Sequence, residues 1–432
     1  MRFKENSIPY VIFLSLVAAL GGILFGYDTA VISGTTADVS AQFGLDDIAK
    51  GWYVGCALIG SIIGVAFAGM LSDFLGRKKT MLIAAVFFTV SAIGCCLCAG
   101  FKDLVAYRFI GGLGIGIISI VSPVYISEVS PAKIRGTMVS LYQLAVTMGL
   151  LLAYLINFVI LSGSGATFSS PFAQRIFSSE MWRGMLGSET VVAVAFFILL
   201  FFIPESPRWL MVRGQKRKDH SEWSELLHPG IIKAVLIGSA IAILGQFMGV
   251  NAVLYYGPDI FSSAGLAAKD SSLSTVLVGL VNMLTTVLAV FIIDKVGRKK
   301  LIYYGVSGMI VCLIAIGLIF VFHGGGIPLL VFFLLYIFSQ AISISAVVFV
   351  LLSEMYPNKV RGIAMSIAGL ALWVGTYLIG QFTPWCMSTL TPAGTFFLFA
   401  AMCVPYLLIM WKLVPETTGK TLEEIEEYWK SL

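Results

Sequence analysis

The 432 residues predict an all-α membrane protein, with twelve transmembrane helices in two pseudo-symmetric six-helix bundles. Three observations predict it. Hydrophobic residues make up 58% of the chain and charged ones 12%, with a mean hydropathy of +0.94. Soluble domains carry about 25% charged residues. Apolar runs of about 18 residues or more recur along the whole length, each long enough to cross a bilayer as a helix. Finally, short charged loop signatures of the first half return in the same order in the second.

Taken in order, the runs place spans at about 10–33, 52–72, 80–100, 104–125, 136–161, 182–203, 231–263, 273–294, 300–322, 327–352, 362–384 and 394–414. The first run is too long and too glycine-rich for a cleaved signal peptide, and no small-residue cleavage site ends it. With the N-terminus inside, 22 of the 28 Lys and Arg residues fall in inside loops. Five fall outside (Lys50, Lys102, Arg175, Arg183 and Lys269), and Arg108 lies in the membrane. That bias sets the orientation, with both termini cytoplasmic. The net charge of +5 therefore belongs to cytoplasmic loops, not to a nucleic-acid surface.

The seven cysteines fall almost entirely inside apolar segments, where a thiol acts as a small hydrophobe. Cys95, Cys96 and Cys98 have no His or carboxylate near them in sequence, so no metal site is expected there. His220, His228 and His323 lie in or beside loops, away from any histidine proton relay in the membrane. No Ser/His/Asp set, metal cluster or phosphate loop appears, so the chain does not read as an enzyme, and no cofactor is expected.

The repeat is explicit. Asp73, Gly76 and Arg77 after span 2 answer to Asp294, Gly297 and Arg298 after span 8. Glu128-Val-Ser-Pro-Ala-Lys-Ile-Arg135 after span 4 answers to Glu354-Met-Tyr-Pro-Asn-Lys-Val-Arg361 after span 10. Pro204-Glu205-Ser-Pro-Arg208 after span 6 answers to Pro415-Glu416-Thr after span 12. This divides the chain into bundles at 1–204 and 231–415, a linker at 205–230 and a tail at 416–432. Duplicated halves of this kind are the architecture of alternating-access carriers, which hold their substrate between the repeats. The mixed charges at the helix ends suit a network of ion pairs that biases one of two states. Each exposed pair is worth at most about 1 kcal/mol.

Three ionisable residues within the apolar runs are the strong candidates for buried charge. Asp28 lies about 27 Å along the helix from an inner start at Tyr10. Arg108 lies just inside the outer start of span 4, at similar depth, so an ion pair is allowed. Glu189 lies in span 6. A charge in mid-bilayer costs roughly 3 kcal/mol, so such a residue is neutral, paired or facing a wet cavity. The plainer alternative for Asp28 is a cap on its own helix end. Gly60, Gly64 and Ala68 in span 2, with Gly112 and Gly116 in span 4, provide small-residue faces for close helix packing. Gln246 and Asn251 flank Gly249 in span 7; amides there bond neighbouring helices or face a polar cavity.

Phe25-Gly-Tyr-Asp-Thr-Ala-Val-Ile-Ser-Gly34, Pro204-Glu-Ser-Pro-Arg-Trp-Leu210, Gln246-Phe-Met-Gly-Val-Asn251, Tyr255-Tyr256 and Pro415-Glu-Thr together resemble the sugar porter family of the major facilitator superfamily. Within it, the likeness is closest to bacterial xylose–proton symporters and runs from about residue 8 to 425. The resemblance implies a proton-coupled monosaccharide symporter in the bacterial inner membrane, working as a monomer with a sugar and a proton as its small partners. It implies Asp28 as the proton-binding carboxylate, Arg108 as its partner and Glu189 as a second coupling acid. Sugar contacts would fall on Phe25, Gln143, Gln246, Asn251, Tyr255, Asn282, Phe349 and Trp373. Amides can satisfy sugar hydroxyls in pairs, and aromatic faces stack on its CH surfaces. The charged loop residues would form the cytoplasmic gate, and Tyr255-Tyr256 part of the outer one.

Some positions depart from the family pattern. Gly245 replaces the first of two adjacent glutamines; Ser345, Ala346 and Phe349 replace a Gly-Pro and a tryptophan in span 10. Leu372 and Leu150 stand where polar residues are usual, and the linker is short. Each absent hydrogen-bond partner weakens a sugar contact by about 1 kcal/mol. Losing Gly-Pro also removes a helix breaker from span 10. The expectation is a sugar other than xylose or glucose, or a low affinity. A facilitative uniporter and a non-transporting sugar sensor are the alternatives.

Overall fold

In the computed structural model, which describes residues 8–131, 134–163, 167–212, 228–357, 360–416 and 422–431, twelve helices are long and apolar enough to cross a membrane. They are spans 1 (Ile8–Gly34), 2 (Asp47–Leu75), 3 (Arg77–Leu97), 4 (Phe101–Val129), 5 (Arg135–Ser162) and 6 (Met181–Leu200), then 7 (Pro229–Ser263), 8 (from Ala268), 9 (Arg298–Val321), 10 (from Gly326), 11 (Arg361–Thr389) and 12 (Thr391–Lys412). Each lies where the hydropathy placed it, with ends shifted by a few residues, and the described residues include no strand. The basic loops that the sequence places on one side give that end of each helix set its name below, the basic end.

The described residues fall into two compact units. The first comprises those of Met1–Gln215 with Leu254–Asp259 and Ala267–Gly279; the second, those of Lys216–Val253, Ile260–Leu266 and Leu280–Leu432. Within the first, span 5 packs on span 1, and spans 4 and 6 pack on span 3. Within the second, span 11 packs on span 7, and spans 10 and 12 on span 9, the same pairings six spans on. The linker reading over residues 213–227 lies outside the described residues, as do residues 417–421 of the tail. Beyond these, Leu422–Lys430 is a helix that buries Ile425 and Trp429 and packs on Pro229–Phe247 and Ala346–Met355.

Small residues let the backbones meet as expected. A Cβ on Gly112 would lie 2.0 Å from the Ala57 carbonyl oxygen, and one on Gly60 would lie 2.3 Å from that of Phe109. Gly26 in span 1 does the same against span 5, where a Cβ would come within 1.9 Å of the Val146 oxygen. Lipid tails are as apolar as leucine, so contact of this kind, not water exclusion, holds helices together in a bilayer.

Two irregular spans shape the second half. Span 7 breaks at Gly249, which has φ +90° and ends Pro229–Phe247 before Val250–Ser263 begins. A side chain there would be strained and would strike the Phe399 ring at 2.3 Å. The break leaves the Met248 carbonyl without a helical donor, and the Tyr336 hydroxyl donates to it at 2.8 Å. Span 10 has no Gly-Pro, yet it is not a uniform α-helix: Ala341–Ser345 forms a π turn. The irregularity that the sequence reading took to be lost persists in another form.

Gly112→Val and Gly26→Val are expected to lower the thermal midpoint in detergent markedly, since overpacking costs about 1–3 kcal/mol. Gly69→Ala, where nothing lies within 4 Å of the new methyl, leaves it unchanged or higher.

Candidate functional site

In the first unit, Asp28, Arg108 and Glu189 are 1%, 3% and 2% exposed. Arg108 Nη1 donates to Asp28 Oδ1 in a short ion pair between spans 1 and 4. Asp28 is thus held by another helix and does not cap its own. Glu189 on span 6 lies within electrostatic range of both. Asp28 Oδ2, Arg108 Nε and Glu189 Oε1 have no hydrogen-bond partner among the described residues.

Their neighbours fix this geometry. The Ser188 hydroxyl donates to the Met185 carbonyl at 2.5 Å, so at 2.6 Å from Ser188 Oγ it is the Tyr27 hydroxyl that donates. That bond ties the residue before Asp28 to the residue before Glu189. Likewise Thr35 donates to the Ile32 carbonyl and accepts from Tyr53, both at 2.8 Å. A Cβ on Gly111 would strike the Ser91 hydroxyl at 2.5 Å and make only an ordinary contact with Asp28 Oδ2 at 3.8 Å. Phe25 is half-buried and Gln143 exposed, both in this unit. Tyr255 belongs to the same unit, is 2% exposed and lies within electrostatic range of Asp28 and Arg108.

In the second unit, the break in span 7 brings two amides together. Asn251 Nδ2 donates to Gln246 Oε1 at 2.7 Å. Thr376 of span 11 shares its hydroxyl proton between that oxygen at 3.2 Å and the Leu372 carbonyl at 3.0 Å. Gln246 Nε2 and Asn251 Oδ1 make no further hydrogen bond among the described residues, leaving one donor and one acceptor available. Asn282 and Trp373 are each 8% exposed, whereas Phe349 is 50% exposed. Gly245 faces Ile344 and Tyr406, and a methyl there would make only ordinary contacts at 3.6 and 3.8 Å.

At the basic end of the first unit, Arg77 donates to Glu128 through Nε and Nη2 and to Asp73 through Nη1, each at 3.0 Å. Glu128 also accepts from Ser206 at 2.5 Å. Glu205 accepts from the Lys78 amide at 3.0 Å, an acid at the N-terminus of span 3. Gly76, with φ +100°, clears its carboxylate. The second unit repeats the scheme: Arg298 pairs with Glu354 at 3.0 Å, and Gly297 has φ +93°. Lys78 Nζ donates to the Phe201 carbonyl at 3.1 Å, and Lys299 Nζ to that of Val414 at 2.8 Å. Arg361 departs from expectation by donating to the Tyr356 carbonyl instead of an acid. Among the described residues, Arg135 and Arg208 join no ion pair either. Glu416 lies within electrostatic range of Lys299. The side chain of Asp294 lies outside the described residues.

Sequence reasoning missed Thr376, three residues beyond Trp373, and the Tyr27–Ser188 tie. It also missed a cluster at the end opposite the basic loops, where Lys50, Thr36 and Asp259 meet. Lys50 was read only as one of five outside cations. An acid directly after Pro258 was the available signal.

A family model described as sugar (and other) transporter matches residues 14–222 and 213–429. The chain belongs to the sugar porter family of the major facilitator superfamily. It is therefore a sugar transporter embedded in a membrane. It is 37% identical to the D-xylose-proton symporter of Escherichia coli, covering all of this chain and 98% of the relative. To the arabinose-proton symporter of Bacillus subtilis it is 36% identical, covering 99% and 96%. The inward open structure of the xylose transporter XylE from E. coli superposes with a TM-score of 0.83 at 36% identity, over 97% of this transporter and 100% of that chain.

Arg77→Ala is expected to lower the thermal midpoint of the transporter, because it strands the largely buried Glu128 carboxylate. Arg208→Ala should leave it within about 0.5 kcal/mol of the parent.

Proposed function

We propose that this transporter is a proton-coupled symporter for a monosaccharide of the xylose or hexose type, working by alternating access. The observation that supports it is the buried Asp28–Arg108 pair with Glu189 beside it. An acid held by an arginine within the membrane can give up that partner when it binds a proton. Protonation of Asp28 releases Arg108 and permits the change of access with sugar bound; return of the proton on the other side resets the pair. One proton moving through 100 mV supplies about 2.3 kcal/mol. That sustains roughly fifty-fold accumulation at about 1.4 kcal/mol per decade. Sugar contacts fall on Phe25, Gln143, Gln246, Asn251, Tyr255, Asn282, Phe349 and Trp373. The basic loops face the cytoplasm of a bacterial inner membrane, with both termini inside. The relatives' sugars, D-xylose and arabinose, set the panel to be tried first.

Uptake and counterflow in proteoliposomes test this. Asp28→Asn is expected to abolish accumulation driven by a pH gradient while sparing sugar exchange. Undiminished accumulation in that variant removes the proton assignment. Sugar flux without alkalinisation of the outside medium identifies a uniporter instead, and sugar binding without flux a sensor.

A further inference from the structure

The first unit takes in two short pieces of the second sequence half, Leu254–Asp259 of span 7 and Ala267–Gly279 around the start of span 8. What fastens them is polar and directional. Asp259 Oδ2 accepts from Lys50 Nζ at 2.5 Å and from Thr36 Oγ1 at 3.1 Å, with the ionic side chains about a fifth exposed at 21% and 22%. Lys50 Nζ also lies 6.0 Å from the centroid of the Tyr256 ring. Four residues before Pro258, the Leu254 carbonyl lacks the N–H that proline cannot supply, and the Tyr154 hydroxyl of span 5 donates to it at 2.9 Å. The Tyr154 ring presses on Gly279, where a Cβ would meet it at 2.7 Å. Tyr256 itself is non-helical, at φ −121° and ψ 17°. Burial and the neighbouring Asp259 charge both push the Asp38 carboxyl up.

This stretch of span 7 therefore follows one break, at Gly249, and holds another, at Tyr256-Gly257-Pro258, and it is fastened by bonds that can be undone singly. A segment meant only to pack would need neither the breaks nor an ion pair at its tip. We propose that Lys50 and Asp259, with Thr36, form the latch that holds the span 7 fragment Leu254–Asp259 closed over the sugar path at the end opposite the basic loops, and that this latch must open for sugar to enter from outside. The inference rests on the alternating-access reading above and adds the residues that set its outer equilibrium. A surface pair of this exposure is worth up to about 1 kcal/mol, or about fivefold in the closed-to-open ratio.

The test uses the full chain with Lys50→Gln, Asp259→Asn and the exchanged pair Lys50→Asp/Asp259→Lys. Spin labels on cysteines replacing the exposed Asp47 and Ala268 report the separation directly, without sugar or proton gradient, in a background whose native cysteines are alanine or serine. Each single variant is expected to raise the long-distance population about fivefold, and the exchanged pair to reverse at least half of that. In proteoliposomes the single variants should lower the half-saturation constant for external sugar in gradient-free exchange by up to fivefold and raise that for internal sugar. Distance distributions identical to the parent's in both single variants, with thermal midpoints alone reduced, would show a mere structural staple and overturn the latch. Loss of proton coupling in Asp28→Asn is read in a separate assay, so failure of the symport reading and failure of the latch remain distinct.

Discussion

The ion pair between Asp28 and Arg108 is the constraint that the first half is built to satisfy. A lone charge at this depth is expensive, and removing one partner of a buried pair costs about 3–5 kcal/mol because the other is stranded. Spans 1 and 4 must hold fixed rotations to keep the two together. The Tyr27–Ser188 bond fixes the first, and the glycine faces of spans 2 and 4 fix the second.

The repeated loops show how two sequence halves reach the same local solution. Gly76 and Gly297 adopt the same left-handed backbone, at φ +100° and +93°, just before a basic triplet. The arginine that follows each glycine reaches across to the acid that ends span 4 or span 10. The lysine after it donates to a carbonyl beyond span 6 or span 12. Fixed charges therefore sit at helix ends, where they are partly wet, and the apolar middle keeps only the groups with a use there. The halves differ where an arginine meets a backbone carbonyl instead of a carboxylate, as Arg361 does.

Irregular helix marks the places where the second half bends. A helix within a membrane must satisfy each freed backbone group from inside the protein. Tyr336 does so for Met248, and Tyr154 for Leu254. The two tyrosines accept a hinge in span 7 without exposing a bare carbonyl to lipid. Span 10 achieves its irregularity through a π turn with no proline at all.

The number and order of the spans, the charge asymmetry of the loops and the six-span repeat were legible in the sequence. A bilayer asks only for length and hydropathy, and both are one-dimensional. Candidate buried charges were legible for the same reason: Asp28, Arg108 and Glu189 stand out against hydrocarbon. Partner choice was not legible, because it depends on how each helix is rotated and which neighbour it meets. Arg77 finds Glu128 fifty-one residues away, while Arg208, equally basic and equally placed in its motif, joins no ion pair among the described residues. Asp259 falls inside the run read as span 7, and only the structure brings Lys50 and Thr36, more than two hundred residues earlier, onto it. Gln246 and Asn251 were amides with two possible fates. Only the break at Gly249, with Thr376 opposite, decided that they bond each other and keep one donor and one acceptor free.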